Sequence, residues 1–293
     1  MRRITLMLLL FAAQPLLAAY ADRDLVIPVV GRAAGRSGRL FLTALWITNT
    51  DDHPAVMSLS YLESGHANRS PRKTTITLPP RETYVVDPLG PPILPSTDSI
   101  GALRIESNAD VVASARIYGY VPGSSASTAV VMALTGIPAR LGIGNGQSAV
   151  LQGDGSSDAQ YKLYVIETSG AALSVVVAVE DLHGQVLGEK RLFLDGFEHI
   201  ATETRQMFPA VHLEHAVIRV RGVNGNGRVI AAGTQIIPGS QDSCAYEMSF
   251  APEPRTRIRA PEAAVYIAIA ALVAISLVMG RKHRSPDTPR GTA

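Results

Sequence analysis

The sequence predicts an all-β protein: two tandem antiparallel β-sandwich domains, an N-terminal signal peptide and one C-terminal transmembrane helix. Three observations carry that reading. Apolar and polar residues alternate at period two through most of the chain. Its 25 glycines and 19 prolines are spread from end to end, as turns between short elements require. The pattern of the middle also occurs twice.

The opening residues, MRRITLMLLLFAAQPLLAAYA, read as a secretory leader over 1–21. Arg2 and Arg3 form its basic region, Ile4 to Leu17 its apolar stretch, and Ala19-Tyr20-Ala21 a small-x-small cleavage site. The apolar stretch, broken by Gln14 and Pro15, is too short for a membrane span.

The exported body holds the repeat. Leu45 to Leu62 answers to Tyr164 to Leu182, Lys73 to Gly90 to Lys190 to Phe208, and Gly101 to Ser124 to His215 to Ser240. The matches keep their order at an offset of about 116 residues, a whole-domain length, so one domain is duplicated. The copies span 22–134 and 148–251, joined by a linker at 135–147, TGIPARLGIGNGQ. Within each copy the pattern is strand-like. Leu103 and Ile105 face a core while Arg104 and Glu106 face water; Ile218 and Val220 do the same against Arg219 and Arg221. Turns are written at Asp51-Asp52, His183-Gly184 and Asn224-Gly225-Asn226-Gly227. Two longer connections, Asp87 to Ser99 and Gln206 to Glu214, sit where the chain should cross between sheets.

After a juxtamembrane segment at 252–262, Ala263 to Gly280 carries no charge. As a helix rising 1.5 Å per residue it reaches about 27 Å, close to the hydrocarbon thickness, so the lipid bilayer is the first expected partner. Arg281, Lys282 and Arg284 open a short basic tail, 281–293, that suits the cytoplasmic leaflet. An exported leader then places the body outside the membrane, periplasmic or at the cell surface. A tail this short holds no signalling or DNA-binding module.

In plan the body is similar to the tandem immunoglobulin-like and fibronectin-like sandwiches of many bacterial surface proteins. That resemblance implies specificity carried by loops at the sandwich ends. Pro252-Glu253-Pro254, the apolar helix and Arg281-Lys282 together resemble the sorting tail of bacterial exosortase substrates. A plain membrane anchor is the other reading of the same residues.

Composition and motifs narrow the chemistry. The net charge of +2 lies at the ends; without the leader and tail the middle stands at about −3, a poor match for a phosphate backbone, and no nucleic acid is expected. Cys244 is the only cysteine, so no disulfide forms within the chain; it reads as a small filler on a strand, or else as a site of intermolecular bridging or lipid attachment. His199, Glu203, His212, Glu214 and His215 are the densest set of possible metal ligands, but on an extended segment His212 and His215 point to opposite faces, and exposed loop histidines are the simpler reading. Asp154 and Asp158 lack the spacing of a calcium loop. Gly142, Gly144 and Gly146 lack the helix that a phosphate loop opens. Ser124, Ser125 and Ser127 read as turn formers, and Asn68 formally heads a glycosylation triplet. Trp46, the only tryptophan, stands where the second copy has Tyr164, and reads as a core or half-buried aromatic, or as a platform for sugar rings.

No catalytic, metal or cofactor residue is assigned, no cofactor is expected, and the chain is read as not an enzyme. The function expected is adhesion, scaffolding or binding by a membrane-anchored extracytoplasmic protein, with an envelope protein or glycan as partner. The alternative is an accessory subunit of an envelope complex for secretion, export or sensing.

Overall fold

The computed structural model describes residues 21–35, 38–123, 130–153, 159–211, 215–237 and 243–250, all within one compact unit, Met1–Ala251. The expected signal peptide, juxtamembrane segment, transmembrane helix and tail lie outside the described residues, apart from Ala21 at the leader's end. Among the described residues no helix is long and apolar enough to cross a membrane.

The chain is mostly strand, and every pairing between named strands is antiparallel. The first half runs β1 (Asp22–Ala34), β2 (Leu40–Asn49), β3 (Ala55–Glu63), β4 (Arg72–Leu78), β5 (Thr83–Val86), β6 (Ser99–Tyr120), β7 (Val130–Thr135) and β8 (Ile137–Pro138). The second runs β9 (Ser148–Gln152), β10 (Gln160–Glu167), β11 (Leu173–Glu180), β12 (Val186–Leu194), β13 (His199–Glu203), β14 (Val217–Gly225), β15 (Val229–Ile236), β16 (Ser243–Glu247) and β17 (Ser249–Phe250), with one short helix, α1 (Thr204–Met207), after β13.

The strand order of the first half returns in the second. There, two sheets run β12-β11-β14-β9-β17 and β13-β10-β15-β16. In the first half the 22-residue strand β6 serves both layers. Its opening stretch pairs with β3 and β1, giving β4-β3-β6-β1-β8. Its closing stretch pairs with β2 and β7, giving β5-β2-β6-β7. The same two layers thus form from one continuous strand in the first half and from separate β14 and β15 in the second. Sequence explains the difference. Ser107-Asn108-Ala109-Asp110 bends β6 without breaking it, Asn108 accepting a bond from the Val56 amide. Asn224-Gly225-Asn226-Gly227 supplies turn residues, with Gly225 at φ +116°, and the strand ends there.

The alternation seen in the sequence is the burial pattern. On β11, Leu173, Val175, Val177 and Val179 are fully buried between the layers. Tyr161 reaches from β10 across to the Gln152 carbonyl of β9, its ring stacked on Tyr246. A Cβ at residue 233 would fall 2.0 Å from the Tyr161 hydroxyl, so the neighbouring strand β15 must carry glycine there.

Two polar side chains lock equivalent corners. Asn49, at the end of β2, donates to the carbonyls of His53, Leu78 and Pro79 and accepts from the Asp51 amide. Glu167, at the end of β10, is fully buried and accepts from the amides of Ser169, Gly170, Phe197 and Arg228 at 2.8 to 3.1 Å. A carboxylate so supplied with donors survives burial because each lone pair is used. Glu167→Ala strands the amides of Ser169, Gly170 and Phe197, leaves the Arg228 amide only the Ser169 hydroxyl, and is expected to cost at least about 3 kcal/mol in urea unfolding, with Glu167→Gln falling between it and the parent. Equal stability of all three proteins would contradict the capping role.

Candidate functional site

The halves are held together by groups from many elements. The expected linker, 135–147, carries β8, a 3-10 turn at Ala139–Leu141, and backbone bridges from Ile143 to Val229 and from Asn145 to Gly222. The β3–β4 turn meets the β12–β13 turn: Asn68 donates to the Phe197 carbonyl, Gly65 to the His199 carbonyl, and Arg69 pairs with Asp195. Arg104, doubly bonded to Asp24, lies over the Phe197 ring. Along the other side, Glu247 on β16 accepts from Thr135, and Ser243 donates to the Val131 carbonyl.

The centre of this junction is a sheet face. On β10 the odd-numbered residues point between the layers, as the Tyr161–Gln152 bond requires, so Gln160, Lys162, Tyr164 and Ile166 point outward. An outward face should be wet. Here Tyr164, Ile166, His199, Ile230 and Ala232 are all buried. They are covered by the first half, where β1 shifts register between Ile27 and Val30. His199 stacks on Tyr164 and donates from Nε2 to the Pro28 carbonyl at 3.2 Å. Among the described residues its Nδ1 has no hydrogen-bond partner.

Where that contact ends, the halves part and leave a cleft of about 490 Å³. Val29, Phe41 and Met132 of the first half face Lys162, Tyr164 and Glu203 of the second. Lys162 and Glu203 are register partners on β10 and β13. Thr234, bonded to the Tyr164 hydroxyl, completes that wall. Burial pushes the Tyr164 phenol up to about 12, so it remains a neutral hydroxyl throughout the physiological range. The chemistry on offer is an apolar, aromatic surface with the Arg39 guanidinium at its lining and one ammonium and one carboxylate set side by side, suited to an amphipathic group.

Of the residues singled out by sequence, Glu203 lines this cleft and His199 lies behind it. His199 is a correction: it is no exposed loop histidine but a buried one on β13, pressed against the other half. His215 is exposed, and His212 and Glu214 lie outside the described residues; among the described residues no group of metal-ligating side chains converges. Asp154, Asp158, Ser124, Ser125 and Ser127 lie outside them too. Cys244 is on strand β16 as expected, but exposed instead of filling a gap. Trp46 is half-buried, with Arg116 over its ring. Asn68, 7% exposed with its amide donated to three carbonyls, is committed to the fold. Lys162 and Thr234 had no distinguishing signal, since neither sits in a motif. The period-two pattern marked their strands but could not say which outward face would be covered.

No family model matches the chain, and no curated protein matches it. Among solved structures, the crystal structure of Thermotoga maritima 1070 is similar over 40% of this chain and 94% of its own, at 19% identity and a TM-score of 0.31. That likeness is too slight to bear on fold or function.

Desolvation lowers the His199 imidazole to about 4, below its usual 6.5. The unfolded chain therefore binds a proton that the folded chain refuses between those values. Stability is expected to hold above pH 6.5 and to fall by about 3 kcal/mol as pH drops to 4. His199→Gln, which cannot titrate, should flatten that part of the profile in denaturant melts; an unchanged slope would remove His199 as its source.

Proposed function

We propose that the protein is a non-catalytic binding or scaffolding module of the bacterial cell envelope. It is exported by residues 1–21, held in the membrane through Ala263 to Gly280, and displays two tandem immunoglobulin-like sandwich domains outside. The single observation that supports binding is the cleft between the halves, walled by Val29, Phe41 and Met132 on one side and by Lys162, Tyr164 and Glu203 on the other. Its occupant is an apolar or aromatic group carrying a charged or hydrogen-bonding head, contributed by a protein or a small molecule. The repeat supports the two-domain reading, since the layer order of one half returns in the other.

Topology and binding have separate tests. Protease added to intact spheroplasts should remove the 22–251 body and leave a small membrane-embedded fragment; full protection would reverse the orientation. For the cleft, saturation-transfer NMR on the full chain in lipid nanodiscs uses benzylamine and phenylacetate as probes. Ring protons should receive saturation from the parent chain. Thr234→Trp, which fills the cleft, should lower the signal about tenfold, to that of empty nanodiscs. Equal signals from both chains would place any binding elsewhere.

A further inference from the structure

The face that is buried in the second half has a counterpart in the first, and among the described residues much of that counterpart, outside Leu42 and Ala44, is exposed. Aligned through the corner residues Asn49 and Glu167, the register of the ladders sets Trp46 where Tyr164 stands, Thr48 where Ile166 stands and Val112 where Ile230 stands. The short outer strands set Thr83 against His199 and Val85 against Ala201 in the same way. In the second half this face is dry. In the first half Val85 is 51% exposed, Val112 37% and Val131 44%. The face also carries Trp46, Tyr118 and Tyr120, the two tyrosines stacked at 6.4 Å and Arg116 lying between Trp46 and Tyr118. A sheet surface of valines and aromatic rings is a poor surface to leave in water.

What such a face takes is seen on its twin. On the second half it is covered by the register-shifted stretch of the first half's β1, which brings Val29 and Val30 to the junction and sets the Pro28 carbonyl against His199. The first half keeps the matching tools. Val85, Val112 and the Trp46 ring supply the apolar floor, and the Thr83 hydroxyl, bonded to Thr48 at 2.9 Å, stands at the His199 position as a donor for a carbonyl. The second half cannot supply a like strand from another copy of this chain. Its segment matching Pro28 to Val30 begins at Gln152-Gly153 and continues into the polar GDGSSD sequence. We propose that the outer face of β5-β2-β6-β7 is a docking surface for another β-rich protein, which lays on it a bulged strand of branched apolar residues with an outward carbonyl. Binding is head-to-tail, repeating between proteins the contact the two halves make within one.

The test is site-specific photo-crosslinking in native host cells, with a benzophenone side chain at position 85, 112 or 131 of the full chain and at Thr75 on β4 as control. Adducts are expected from the first three positions, mapped by mass spectrometry to one apolar, strand-forming segment of a partner, with none from Thr75. Val85→Glu with Val131→Glu should lower the adduct yield from position 112 about tenfold or more while circular dichroism stays unchanged. Absence of adducts, adducts to a second copy of this chain, or adducts to lipid or glycan would each overturn the proposal. None of these outcomes depends on whether the cleft binds a ligand.

Discussion

The arrangement depends on one sheet face being kept from water. Lys162, Tyr164 and Ile166 leave β10 on the side away from its own second sheet, and Tyr164 and Ile166, with His199, Ile230 and Ala232, are buried where the first half, β1 among its elements, lies over them. Removing the first half would expose a continuous apolar strip that no other described part of the second half covers. The polar contacts at the margins have a different task. The Asn68 amide, the Arg69–Asp195 pair and the Glu247 carboxylate fix where the face sits, and the exposed ones among them add little energy of their own. Apolar burial supplies the driving force, and the marginal polar groups supply the register.

The recurring layer order explains why the same layers serve two purposes. Two halves with like layers present like faces, and packing one on the other uses a face of each that its partner does not use. One outward sheet and one β1-type edge are therefore left over. The residues then diverge according to that use. His199 and Ile166, in the dry setting, answer to Thr83 and Thr48, which are hydroxylated and accessible; Thr234, in the wall of the cleft, answers to Arg116, which reaches over two aromatic rings. Thr48 gives way to Ile166 and Ser114 to Ala232 where the face is covered, while Val112 and Ile230 are branched and apolar in both halves and Trp46 and Tyr164 both keep a large ring.

Much of the fold could be read from the chain. Period-two alternation on Leu103 and Ile105 or Ile218 and Val220 marks strands because their side chains must alternate between core and water, and the repeated order of matches reflects a repeated order of layers. Both long connections join a strand of one layer to a strand of the other, as their lengths and positions suggested. What could not be read was anything that depends on one half meeting the other. His199 looked like a loop histidine because nothing local distinguishes an imidazole with water beside it from one with Pro28 beside it. Glu167 drew no attention, since a carboxylate that gathers amides from positions 169, 170, 197 and 228 has no linear motif. Segment 135–147, rich in glycine, read as a spacer; its backbone pairing with Val229 and Gly222 is a tertiary fact.

The cleft follows from the same contact. A twisted sheet face and a strand edge that crosses it can touch closely over only part of their length. Here they touch at Ile166, His199 and Tyr164 and diverge toward Gln160, so the space that opens is bounded by whatever the outward row of β10 carries next. That residue is Lys162, beside Glu203, where the first half has Ala44 beside Asp87. In the first half Asp87 is engaged by Arg116 and by the Tyr118 hydroxyl, which close the surface over Ala44. In the second half Thr234 and Ile236 replace that arginine and tyrosine, and neither is long enough to bridge the row. The gap is therefore written into two short side chains, and the charged pair at its wall is set side by side by strand register.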